Sequence, residues 1–198
     1  MRKSNVEKLA RVLKGLVMAA FVCNLIALFF VPCVVLLSPL ELFQQLVDRI
    51  LHLLRIRPFG EDDVLCAVCW GLALVAWGEI WKNSVHVAYS AFLLLCGGCT
   101  AMILNRANRI LNTILKTTPF VRENAAAMKQ SAVCCWVIAG AAVIRVLAEI
   151  VALGNVAPLI TYNAVAVPVF FMGGLLFLVM SALFGQAAEL KEDQDLTI

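Results

Sequence analysis

Charge is what this sequence has least of. Lys, Arg, Asp and Glu together make up 15% of the 198 residues, and histidine occurs only twice, whereas soluble domains carry about 25% charged residues. A well-wetted surface cannot be built from so few. The two histidines, His52 and His86, form no HxxxH or HExxH spacing, so no metal site is expected. The net charge of +3 is too small to argue for direct contact with nucleic acid. Also missing are an internal repeat and a low-complexity linker, so residues 1–198 read as one domain.

What the sequence holds in excess is apolar: 63% of residues are hydrophobic and the mean hydropathy is +0.93. A soluble domain averages about 45–50% apolar, and no core in so small a chain hides that surplus. Lipid is the solvent that fits. The eight cysteines do not point to a disulfide scaffold, because six lie in long apolar runs, where cysteine serves as a small, polarisable packing residue. Arg2, Lys3, Lys8, Arg11 and Lys14 ahead of an apolar run imitate a signal peptide. That run, 15–37, is longer than a signal core of roughly 7–15 residues and meets no small-x-small site, so it reads as a span.

A spanning helix needs about 20 mainly apolar residues. Segments 15–37, 85–104, 132–152 and 163–184 qualify, and 64–81 (VLCAVCWGLALVAWGEIW) is ambiguous. The Lys/Arg bias toward the cytoplasm decides between four spans and five. Four spans with the N-terminus inside place eleven Lys/Arg in the cytoplasm against four outside. A fifth span at 64–81 would leave six inside against nine, and inverting that arrangement would translocate the basic N-terminus. The expected fold is therefore an all-α integral membrane four-helix bundle with both termini cytoplasmic. Residues 38–84 then form an outer segment. Within it Ser38-Pro39-Leu40-Glu41 reads as a capped start to an amphipathic helix with Phe43, Leu46, Val47, Ile50, Leu51 and Leu54 on one face. The stretch 64–81 is re-entrant or interfacial, with Trp70, Trp77 and Trp81 at headgroup level.

Helical spacing continues beyond the second span. Ile110, Leu111, Ile114 and Leu115 keep the apolar stripe while Asn105, Arg106, Asn108, Arg109, Asn112 and Lys116 are polar. A helix over 85–116 would measure about 48 Å against a hydrocarbon core of about 30 Å. Thr118 can cap a new helix and Pro119 can start it, so 105–131 reads as a basic cytoplasmic hairpin. It carries Arg106, Arg109, Lys116, Arg122 and Lys129. The chain closes on an acidic tail, 185–198, with Glu189, Glu192, Asp193 and Asp195 against Lys191.

Three stretches resemble a bacterial family of small membrane proteins catalogued as domain of unknown function 2975. They are RILNTILKTTPFVRENAAAMKQSAVCC (109–135), FFMGGLLFLVMSALFGQAAEL (170–190) and KEDQDLTI (191–198). In the first, Thr118, Pro119, Phe120 and Asn124 supply the TPF…EN turn. The resemblance implies a four-span protein of the bacterial cytoplasmic membrane without assigned enzyme activity. Members are often encoded beside a small helix-turn-helix transcription regulator. It supplies no catalytic residues and implies no cofactor.

Three constellations compete for a role. The hairpin cations and the tail acids Glu192, Asp193 and Asp195 suit a non-enzymatic protein that binds a cytosolic partner, such as that regulator. Hairpin and tail could also bind one another at rest. Alternatively, the cations merely orient the chain and meet anionic lipid. The pairs Cys66/Cys69 and Cys96/Cys99 have the spacing that puts two sulfurs on one helical face, as in a membrane thiol oxidoreductase, although mid-membrane depth keeps soluble thiols from Cys96. Arg145 and Glu149, four apart inside the third span, suit either a self-neutralising pair or the centre of a small transporter or sensor. Gly97, Gly98, Ala101, Gly140, Gly173, Gly174 and Gly185 allow close helix approach, within one bundle or between two copies.

Overall fold

A computed structural model describes residues 2–36, 61–116 and 120–196. The amphipathic helix expected within 38–54 lies outside the described residues. Helix is the only extended element among those described: α1 (Arg2–Phe29), α2 (Val31–Leu36), α3 (Glu61–Glu79), α4 (Ser84–Leu115), α5 (Arg122–Leu153) and α6 (Tyr162–Leu196), with short 3-10 turns at Ile80–Lys82 and Ala157–Ile160. The fold is all-α, as the patterning demands. Four helical stretches are long and apolar enough to cross a membrane: Lys8–Phe29, Ser84–Leu115, Arg122–Ala152 and Tyr162–Gln194. α3 opens on three acidic residues, Glu61, Asp62 and Asp63, and closes on Glu79.

The apolar run 15–37 is not one helix. It breaks at Phe30, two residues before Pro32, whose ring removes a backbone donor and clashes with the preceding turn. The short α2 that follows packs against α3.

Contacts gather into two compact units, Met1–Asn24 with Cys96–Ile198, and Leu25–Leu95. In the smaller unit, Trp70 and Trp77 share a face of α3 at the helical spacing of seven. The Trp70 ring lies 4.9 Å from that of Phe29, and the Trp77 indole N–H donates to the Phe29 carbonyl at 3.2 Å. That bond anchors α3 to the chain at the break between α1 and α2. Between the two indoles Ala73 and Ala76 are fully buried, and Pro32, Val31 and Val35 supply the buried side of α2. Lys82 neutralises Glu79 at 2.6 Å.

The larger unit is organised by the antiparallel pair α5 and α6. Some 44% of the α5 span is buried, against 6% of the α6 span, so α5 is the central element. Its buried residues, Ala127, Met128, Ser131, Ala132, Cys134, Cys135, Ile138, Ala139, Ala142 and Val146, recur at three and four as a packed face requires. Most are small, which lets helices approach where no hydrophobic effect drives them together. α5 stops at Gly154, whose φ of 63° is left-handed and whose N–H caps the Ile150 carbonyl at 2.9 Å. Glycine takes that conformation without a Cβ clash.

Candidate functional site

The lengths of α4, α5 and α6 create the feature that sets this fold apart. They have 32, 32 and 35 residues, hence about 48, 48 and 52 Å at 1.5 Å per residue, against about 30 Å of hydrocarbon. The surplus of α4 is polar at its C-terminal end and that of α5 at its N-terminal end, and α6 contributes its acidic C-terminal turns. The tail is thus not loose: α6 stays helical through Leu196, because Ala187, Ala188, Leu190, Lys191 and Glu192 favour helix and no proline interrupts them.

Side-chain bonds tie these ends into one basic projection. Asn124, 2% exposed, donates through Nδ2 to Thr113 Oγ1 at 2.6 Å, and that hydroxyl donates to the Ile110 carbonyl at 2.7 Å. The relay pins the start of α5 to the end of α4. The Phe120 ring packs on Phe184 at 5.7 Å, which binds the turn to α6. Two of the four residues of the TPF…EN turn therefore have structural partners; Thr118 and Pro119 lie outside the described residues. α5 opens at Arg122, with Val121 extended at the N-cap, rather than at Pro119. Phe120 is held on α6, and the first helical turn closes through Asn124 N–H to the Val121 carbonyl at 3.0 Å.

Further along the α5–α6 seam the Ser181 hydroxyl donates to the Ala125 carbonyl at 2.7 Å. A Cβ at Gly185 would lie in ordinary contact, 3.9 Å from Ala125 Cβ, whereas one at Gly174 would collide with Trp136, 2.5 Å from its Cδ1. Gly174 is therefore the close-approach position, and Trp136 fills the space it leaves. Sequence periodicity marks both as membrane residues but gives no inter-helix register, so neither Trp136 nor Ser181 stands out there.

The charges divide sharply. Arg122 reaches across to α6 and grips Glu192 with two parallel bonds, Nε to Oε1 at 3.1 Å and Nη2 to Oε2 at 2.8 Å, the fork geometry that suits guanidinium and carboxylate. Arg106, Arg109 and Lys129 have no ion pair among the described residues. Lys116 and Asp193 are engaged elsewhere, and nothing is described of the Asp195 side chain. Well away from this end, Arg145 donates to Glu149 at 2.9 Å along one face of α5, with side chains 11% and 31% exposed.

Cys96 and Cys99 fall on α4, and Cys134 and Cys135 on α5. All the described cysteines are free thiols. Cys66 and Cys69 fall on α3, but their side chains lie outside the described ones. Among the described residues no group of three or more His, Cys, Asp or Glu side chains is placed to hold a metal ion.

These features define an all-α bundle with membrane-length helices and a polar helical projection at one end. A family model described as protein of unknown function (DUF2975) matches residues 64–198, well over half of the chain, and the chain belongs to that family. The match takes in α3 through α6 and leaves α1 outside, so the 64–81 stretch is part of what the family shares. No curated protein and no solved structure matches the chain.

Proposed function

We propose that this is a non-enzymatic, multi-pass protein of the bacterial cytoplasmic membrane with both termini in the cytoplasm, and that its basic projection binds a cytosolic protein. The observation that carries the proposal is a set of cations, on packed helices, that lack an ion pair among the described residues. They are Arg106, Arg109 and Lys129, on helices that the Asn124–Thr113 and Phe120–Phe184 contacts hold in register. The Lys/Arg bias favours a cytoplasmic position for this end, and cations fixed on a packed surface favour charge-complementary docking. The family resemblance favours a helix-turn-helix transcription regulator as the partner. Co-purification of the chain with the product encoded beside it tests this. Alanine at Arg106, Arg109, Arg122 and Lys129 should abolish recovery of the regulator; unchanged recovery would remove the hairpin as the docking surface.

A second reading, membrane thiol chemistry, is favoured by the free thiols of Cys96 and Cys99, three apart on α4 and so on one helical face. Oxidation to a disulfide would pass two electrons and two protons to a lipid-soluble quinone. Alkylation with a gel-shift reagent in intact cells decides it, since thiols that stay reduced under every growth condition end this reading.

A further inference from the structure

Arg122 and Glu192 each stand at the wrong end of their own helix. The dipole of α5 disfavours a cation at its first residue, and that of α6 disfavours an anion in its last turns. Because the two helices run antiparallel, each charge meets the favourable end of its neighbour, and the fork between them closes the seam. These charges serve the junction, not the helices that carry them. Below the fork the seam is apolar and small, with Ala188 1% exposed and Ala125 against Gly185. The fork itself is wet: its side chains are 67% and 53% exposed. Salt and water therefore weaken it, and a pair so exposed adds little to stability. It is a bond that another carboxylate can take over.

We infer that Glu192 is an internal stand-in for a carboxylate of the docking partner: the partner presents an acidic helix whose carboxylates are taken by Arg106, Arg109 and Lys129, and which gains Arg122 by displacing Glu192. This rests on the docking reading above and adds to it the chemistry of the partner and a latch that weakens docking at rest. Until the latch opens, Arg122 is occupied, and Glu189 and Glu192 repel an approaching acidic helix.

The test uses the full chain in detergent or nanodiscs at low ionic strength, with a fluorescein-labelled peptide copying residues 185–198 as the acidic probe. Glu192→Gln frees Arg122 and should tighten probe binding about fivefold, the equivalent of about 1 kcal/mol. Glu189→Gln changes net charge equally without touching the fork, and should gain clearly less. Arg122→Gln opens the same junction but removes the cation, and should bind no tighter than the unsubstituted chain. Equal binding by the Glu192→Gln and unsubstituted chains overturns the inference. So does an equal gain from Glu189→Gln or Arg122→Gln, or an absence of binding by Glu192→Gln. The docking reading fails separately, if alanine at Arg106, Arg109 and Lys129 in the Glu192→Gln background leaves probe binding unchanged.

Discussion

The two arginine–carboxylate pairs of the larger unit share their chemistry and differ in almost everything else. Arg145 and Glu149 lie four residues apart on one helix, within a candidate span, 11% and 31% exposed. Arg122 and Glu192 belong to different helices, are bidentate, and are 67% and 53% exposed. A charge inside a span is expensive, and pairing it within the same helix offsets that expense wherever the helix goes. The exposed pair has little desolvation to offset and little energy to give, but it joins two elements that can separate. Burial thus sets one pair apart from solvent, whereas the other stays open to it.

The contrast breaks most directly at Arg145. Arg145→Ala leaves Glu149 without its partner in the span, and removing one member of a buried pair costs about 3–5 kcal/mol. Folded yield and thermal stability in detergent, read by size-exclusion after heating, should fall sharply. Replacing both residues with leucine should recover most of the loss, because an apolar pair of similar volume is tolerated where a lone charge is not. If the double variant folds well yet abolishes a measurable flux, the pair is functional and the structural assignment fails. A smaller loss is expected from Gly174→Ala, where the added methyl meets Trp136. Overpacking of that kind costs about 1–3 kcal/mol, and Trp136→Leu in the same chain should relieve it, as a melting series would show.

How much of this was readable in advance follows the reach of local pattern. The basic hairpin was legible because α4 keeps its helical stripe past Leu104, and the helix does run to Leu115. Glu192 and Arg122 were legible as candidates because charged groups are scarce in so apolar a chain, and Asn124 because it belongs to the TPF…EN turn of the family resemblance. That Arg122 would choose Glu192, and Asn124 would choose Thr113, was not. Those choices depend on inter-helix register, which small residues such as Gly174, Gly185 and Ala188 set, and small residues occur throughout such helices. Within the expected span over 15–37 a membrane-length helix ends at Phe29, and the break at Phe30 was not legible because hydropathy ignores the donor that Pro32 removes. The acidic tail 185–198 was legible from its charge, but its continuation of α6 as helix to Leu196 was not.

Two smaller effects sharpen the comparison at the basic end. Asn124→Ala removes the bond to a part-buried Thr113 hydroxyl and should cost about 1–2 kcal/mol. Its signature is local: amide exchange should quicken at the end of α4 and the start of α5 while the Arg145 region is unchanged. Smallest of all is Glu192→Gln, which should lower thermal stability by the equivalent of less than about 1 kcal/mol. That difference should vanish at about 1 M salt, where the screening length falls to about 3 Å. Replacement of Arg145 should show no comparable salt dependence, because ions do not reach its pair. If the Glu192 effect persisted undiminished in high salt, the fork would be as shielded as the span pair, and Arg122 could not be surrendered to a partner.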